Sequence, residues 1–212
     1  MGPSHIMSCS QTVMAAKPAL VVTDSMGRDL VPSRKWQLQF FPGLTTPRLL
    51  DMLMNRRIPL HAGLRLIVVH VGTNDADEGP RNRNRQSVLQ NGENCSAIRD
   101  ELQEQVPGVR VVWSSILTRP CDWARSYRRV NLVNMELQAR FPGDDYLNSL
   151  KTFWKGMRHL DIPCIGTADR TLFAEDGLHL SERGTYTFQG LLEVSIICRL
   201  YANQNYRRRR RN

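Results

Sequence analysis

The sequence has no long apolar run, no paired cysteines and almost nothing repetitive, and each absence removes a class of protein. No stretch approaches the ~18 consecutive apolar residues that a membrane-spanning helix requires. The nearest, Leu64–Val71 and Leu191–Ala202, are short or interrupted. The expectation is a soluble chain, with peripheral contact to a lipid or membrane surface still open to it. The five cysteines (Cys9, Cys95, Cys121, Cys164, Cys198) stand singly, with no Cys-x-x-Cys and in odd number. That argues against a zinc site or other metal centre and against a disulfide framework, and favours a reducing, intracellular and cytoplasmic setting. Met1–Met7 (MGPSHIM) has neither a basic start nor an apolar core, so it reads as a cloning remnant rather than a signal peptide. No internal repeat is present, and the arginine run near the end is the only low-complexity segment.

What remains is ordinary globular composition. At 212 residues, 41% hydrophobic and 23% charged, the chain suits one domain with a sizeable core. After the remnant, 8–18 reads as an N-terminal extension, 19–202 as the folded body and 203–212 as a disordered basic tail. Five of the nine net positive charges are Arg207–Arg211, so the strong basicity belongs largely to that tail. Arg81, Arg83 and Arg85 form a second cluster, and Arg125, Arg128 and Arg129 a third. Such clusters can meet phosphates, and the tail, with Tyr201 and Tyr206 as stacking partners, implies weak, salt-sensitive RNA or DNA contact. A solvated linker is the plainer reading of the same run.

Short aliphatic runs alternate with longer segments of helical periodicity, the pattern of an α/β protein with a mostly parallel sheet. The strands expected are Ala19–Thr23, Trp36–Phe40, Leu64–Val71, Val109–Ser114 and Leu160–Cys164. Several are continuously apolar, as in strands covered on both faces. Helices are expected over Thr46–Asn55, Cys95–Gln105, Ser126–Arg140 and Glu182–Tyr201. In the third of these, Val130, Val133, Leu137 and Phe141 mark a buried stripe.

Three short motifs fall at strand ends or in loops. The first strand runs into Thr23-Asp24-Ser25-Met26-Gly27. A serine there presents its hydroxyl and an unpaired backbone N–H at the sheet edge, although Asp24 and Ser25 taken alone read as helix caps. The third strand ends in Gly72-Thr73-Asn74-Asp75, whose asparagine amide is a neutral donor able to meet negative charge, and whose residue types also suit a plain turn. Asp176-Gly177-Leu178-His179 places a carboxylate within reach of an imidazole, which would fix its tautomer, although isolated Asp-x-x-His pairs arise by chance.

Taken together, in this order, the motifs resemble the SGNH, or GDSL-type, hydrolase family. The resemblance covers Ala19 to about Gly190. It implies a flavodoxin-like three-layer α/β/α sandwich with a mostly parallel five-stranded sheet, and esterase or lipase chemistry with no cofactor. Ser25 matches the family nucleophile, His179 the general base and Asp176 its partner. Ser25 N–H, Gly43 N–H in the Phe41-Pro42-Gly43 loop and the Asn74 side chain match the oxyanion hole. One position departs from the family pattern: Thr23 stands where glycine usually precedes the Asp-Ser pair, which bears on access to Ser25. The G-x-S-x-G elbow of the α/β-hydrolases is absent.

A closer resemblance is to the esterase domain in the ORF1 protein of LINE (CR1- and L2-type non-LTR) retrotransposons, which implies self-association through other regions of a longer protein. Acetyl or other short-acyl esters and lipid esters are both open as substrates. Phe40, Phe41, Pro42, Phe153 and Trp154 are candidates for an acyl pocket, with core packing the plainer reading of most of them. The rival function is a binding module of the same fold that acts on nucleic acid through its basic surface.

Overall fold

The apolar segment Ala19–Thr23 forms the first strand, β1, and Trp36–Phe40 the second, β2, both with the limits expected from sequence. A computed structural model describes residues 16–76, 87–117, 120–149 and 169–209, with backbone alone at 122–127 and 202–209. The remaining described strands are β3 (Leu66–His70), β4 (Arg110–Ser114) and β5 (Tyr146–Leu147). They pair in the order β2-β1-β3-β4-β5, every pair parallel. The helices are α1 (Thr46–Met54), α2 (Val88–Gln105), α3 (Trp123–Arg140) and α4 (Glu182–Arg209).

Strand alternation divides the core in two. Leu20, Val22, Ile67, Val69, Val111 and Trp113 turn to one face and pack against Leu49 and Leu53 of α1, Ile98 and Leu102 of α2, and Val130, Val133 and Leu137 of α3. Ala19, Val21, Leu66, Val68 and Val112 turn to the other, against Phe188, Leu192, Ile196 and Leu200 of α4. The result is the three-layer α/β/α sandwich with the flavodoxin-like strand order. The order reverses between β1 and β3, and the carboxyl ends of those two strands lead into the Ser25 and Asn74 segments. A crevice at that switch point is where such sheets bind ligands. Among the described residues, no helix is long and apolar enough to cross a membrane.

Four expectations need adjustment. The described fifth strand is Tyr146–Leu147, too short to carry an apolar run, while Leu160–Cys164 lies outside the described residues. Helix α2 begins at Val88 rather than Cys95, capped by the Ser87 side chain accepting from the Gln90 N–H at 3.0 Å. At Gly92 a Cβ would stand 2.6 Å from Glu136 Cγ and 2.5 Å from Arg140 Nε. That glycine permits close contact with α3. Helix α3 begins at Trp123 rather than Ser126. Helix α4 runs past Tyr201 to Arg209, so residues 203–209 are described as helical backbone. No glycine or proline between Tyr201 and Arg209 interrupts it.

Candidate active site

The chain leaves β1 through a single 3-10 turn, Ser25–Gly27. Asp24 caps it as expected, Oδ1 accepting the Met26 N–H at 2.9 Å. Ser25 is the first residue of the turn and half-buried, while Asp24 is 1% exposed. Thr23, the departure from the family pattern, is fully buried, and a Cβ on Gly27 would lie 2.0 Å from Thr23 Cγ2. The threonine methyl therefore fills the space that glycine leaves free four residues later, and the turn closes with both in place.

Gly43 sits in the loop after β2 with φ +66°, a conformation that favours glycine, and a Cβ there would meet nothing within 4 Å. Its constraint is therefore conformational rather than spatial. The Leu44 N–H closes this turn onto the Phe41 carbonyl at 3.1 Å. Asn74, in the loop after β3, is half-buried, and its amide donates to the carbonyl of Leu44 at 3.0 Å. The two candidate oxyanion segments are thus tied together, the asparagine amide binding the residue next to Gly43. The following residue, Asp75, is buried and accepts from the Thr46 N–H at 3.0 Å and the Thr46 hydroxyl at 2.9 Å. It satisfies a donor at the start of α1 and so joins that helix to the same loop. No local signal in the sequence distinguishes Asp75 from an ordinary turn residue.

The third segment is a short loop pinned at its neck. Phe173 and Leu180 form an antiparallel bridge, and the Ala174 N–H donates to the His179 carbonyl at 2.9 Å. At its tip, Asp176 Oδ1 accepts the N–H groups of Leu178 at 2.8 Å and His179 at 2.9 Å, while Oδ2 lies 2.7 Å from His179 Nδ1. The hydrogen bond from the His179 ring, reinforced by the two backbone donors, holds the Asp176 carboxyl down at about 2. An ionised carboxylate only accepts, so Nδ1 carries the hydrogen, and in the neutral ring Nε2 has the lone pair of a base. Gly177, at φ +60°, lets its carbonyl accept the Cys121 N–H at 3.1 Å, and a Cβ there would lie 2.8 Å from that nitrogen.

Electrostatics connect the segments. The Asp24 carboxyl is pushed up to about 7 by burial, with Asp75 adding to the shift and His179 opposing it. Arg28 is influenced by its neighbour Asp29 and also by Asp176. Ser25 and His179 share no hydrogen bond here, and proton transfer would require that contact to form as substrate binds, a common condition of substrate-free sites. A cleft of about 500 Å³ opens beside Asp176, lined in part by Cys121, Arg170, Phe173 and Glu175. Near Gly43, Phe40 is exposed and Phe41 half-buried against the core, while Phe153 and Trp154 lie outside the described residues. Among the described residues, no three His, Cys, Asp or Glu side chains group as ligands for a metal ion.

No protein-family model matches the chain, and no curated protein does. Solved structures do match at the level of the fold. A GDSL-like lipase from Bacteroides thetaiotaomicron is similar with a TM-score of 0.66 at 14% identity, covering 84% of this chain and 86% of that one. The psychrotrophic esterase EstA from Pseudoalteromonas, in a structure inhibited by monoethylphosphonate, is similar at 0.57 and 13% identity over 87% and 99%. A carbohydrate esterase family 3 protein from Talaromyces cellulolyticus is similar at 0.58 and 11% identity over 86% and 97%.

Proposed function

We propose that this protein is a serine ester hydrolase that cleaves carboxylic esters through an acyl-enzyme on Ser25. The observation that carries the reading is the Asp176–His179 pair, whose 2.7 Å contact leaves Nε2 as the available base. The Ser25 and Asn74 segments leave the carboxyl ends of two adjacent strands in a sheet shared with lipases and esterases, which supports the same chemistry at the level of the fold. Ser25 Oγ adds to the ester carbonyl carbon as its proton passes to His179 Nε2. The oxygen takes the negative charge and is met by Ser25 N–H, Gly43 N–H and the Asn74 amide. Collapse expels the alcohol, which leaves with the proton from His179. Water then attacks the acyl group through the same histidine, releasing the acid and restoring Ser25.

The substrates we assign are esters of acetyl or other short acyl groups, or lipid esters. Exposed Phe40 beside the oxyanion loop supports apolar acyl contact and peripheral contact with a lipid surface. A chain-length series separates the two substrate classes, since a sharp optimum at two carbons counts against a lipid pocket. Membership of a LINE ORF1 protein, with self-association through its other regions, rests on the sequence resemblance alone. The direct test of function is turnover of a chromogenic acetyl ester by Ser25→Ala. Loss of nearly all activity is expected, and full retention would sink the reading. A second role in weak RNA or DNA contact is favoured by the arginine run, which α4 reaches as helical backbone up to Arg209. Unchanged RNA affinity after deletion of residues 203–212 would remove it.

A further inference from the structure

Asp24 does more in this geometry than cap the serine turn. Its Oδ1 takes the Met26 N–H at 2.9 Å, and its Oδ2 faces Asn74 Nδ2 at 3.5 Å, the outer limit of a hydrogen bond. The same Asn74 nitrogen donates to the Leu44 carbonyl at 3.0 Å. One buried carboxyl and one amide therefore join the three segments that supply Ser25, Gly43 and Asn74. The contacts of the Asn74 nitrogen with Leu44 and Asp24 are unequal. The 3.0 Å contact to the Leu44 carbonyl fixes the amide nitrogen, while the 3.5 Å contact to Asp24 holds it less tightly. A developing oxyanion can then displace that long contact at little cost.

We infer that Asp24 is a positioning residue for ester hydrolysis, its carboxylate helping to hold the Asn74 amide in place as an oxyanion donor. The inference rests on the esterase reading and assigns to Asp24 no contact with substrate. A carboxylate near the oxyanion also repels it. The imidazolium formed on His179 in the same step opposes that repulsion, since His179 is the group that lowers the Asp24 carboxyl electrostatically, against Asp75 and burial, which raise it. Those are the two titratable groups acting on Asp24, Asp75 from the loop after β3 and His179 from the bridged loop. With burial pushing it up to about 7, the carboxyl is ionised in an assay at pH 8.5.

The test is a double-mutant cycle on kcat at pH 8.5 with Asp24→Asn, Asn74→Ala and the pair, and Ser25→Ala as control. Asp24→Asn keeps an acceptor for Met26 and turns an N–H₂ toward Asn74. It should lower kcat by about 10-fold or more, up to the 10²- to 10³-fold worth of one oxyanion donor, and change KM less than about twofold. In the Asn74→Ala background the same change should cost under about twofold. Costs that multiply, an unchanged kcat or a raised one would overturn the role of Asp24 while leaving the esterase reading intact. Activity surviving in Ser25→Ala would overturn that reading instead. Should Asp24→Asn not fold, the intact protein still decides the matter by nuclear magnetic resonance. The Asn74 side-chain amide should shift with the same pH midpoint as the Asp24 carboxyl carbon, and an amide indifferent to that titration would refute the link.

Discussion

The methyl group of Thr23 occupies the space into which any side chain on Gly27 would grow, the built Cβ lying 2.0 Å from Thr23 Cγ2. Gly27 is therefore required for its size. Gly27→Ala should destabilise the fold by roughly 1 to 3 kcal/mol, the usual cost of overpacking. Thr23→Gly should relieve most of that cost in the double variant. Urea unfolding of the native protein, both single variants and the double variant measures it, and additive costs would show that the two residues do not share the space.

The Asp176–His179 contact sets the ring tautomer, so Asp176→Asn should reduce kcat by about 10³- to 10⁴-fold with KM little changed, the loss expected when a histidine base is held in the wrong tautomer. Because Asp176 is already held at about 2, its own titration should leave no inflection in the activity profile above pH 4. Steady-state kinetics across pH checks both statements.

Much of the candidate site is legible in the amino-acid sequence itself. Ser25, Asn74, Asp176 and His179 sit in short contiguous motifs, and strands β1 and β2 are aliphatic or aromatic runs whose limits coincide with the expectation. What is not legible depends on contacts between distant segments. The close packing at Gly92 involves Glu136 and Arg140, more than forty residues away. The two-residue strand β5 exists through pairing with β4 and carries no periodicity of its own. Asp24 reads as a cap from its neighbours alone, whereas its approach to Asn74 across 50 residues is a product of the fold.

Asn74→Ala should lower kcat by about 10²- to 10³-fold if its amide stabilises the oxyanion as such donors usually do. The Asn74–Leu44 contact is lost with it, so a raised KM in place of a lowered kcat would indicate a disturbed loop around Gly43.

Two buried groups should give stability opposite pH slopes. His70, its Nδ1 3.1 Å from Ser114 Oγ and its ring 4.7 Å from that of Phe188, is pushed by burial from 6.5 down to about 4. Between those values the unfolded chain binds the extra proton, so stability is lost as pH falls through the window. Asp24 is pushed from 3.8 up to about 7, so the folded chain holds the extra proton and stability is lost as pH rises. The two contributions, each roughly 3 to 4 kcal/mol over its full range, largely cancel from pH 4 to 6.5. Asp24→Asn should expose the His70 slope, with stability rising by up to about 1.4 kcal/mol per pH unit. Urea unfolding at several pH values measures it, and a flat profile in that variant would show that His70 is not held neutral.

The nucleophile itself is tested most directly by labelling with a fluorophosphonate and locating the adduct by peptide mass spectrometry. Ser25 should carry the phosphonyl group in the native protein, and both Ser25→Ala and heat-denatured protein should stay unlabelled. A folded, native protein that takes no label at Ser25, or takes it at another serine with Ser25→Ala still labelled, would mean that ester hydrolysis does not run through Ser25.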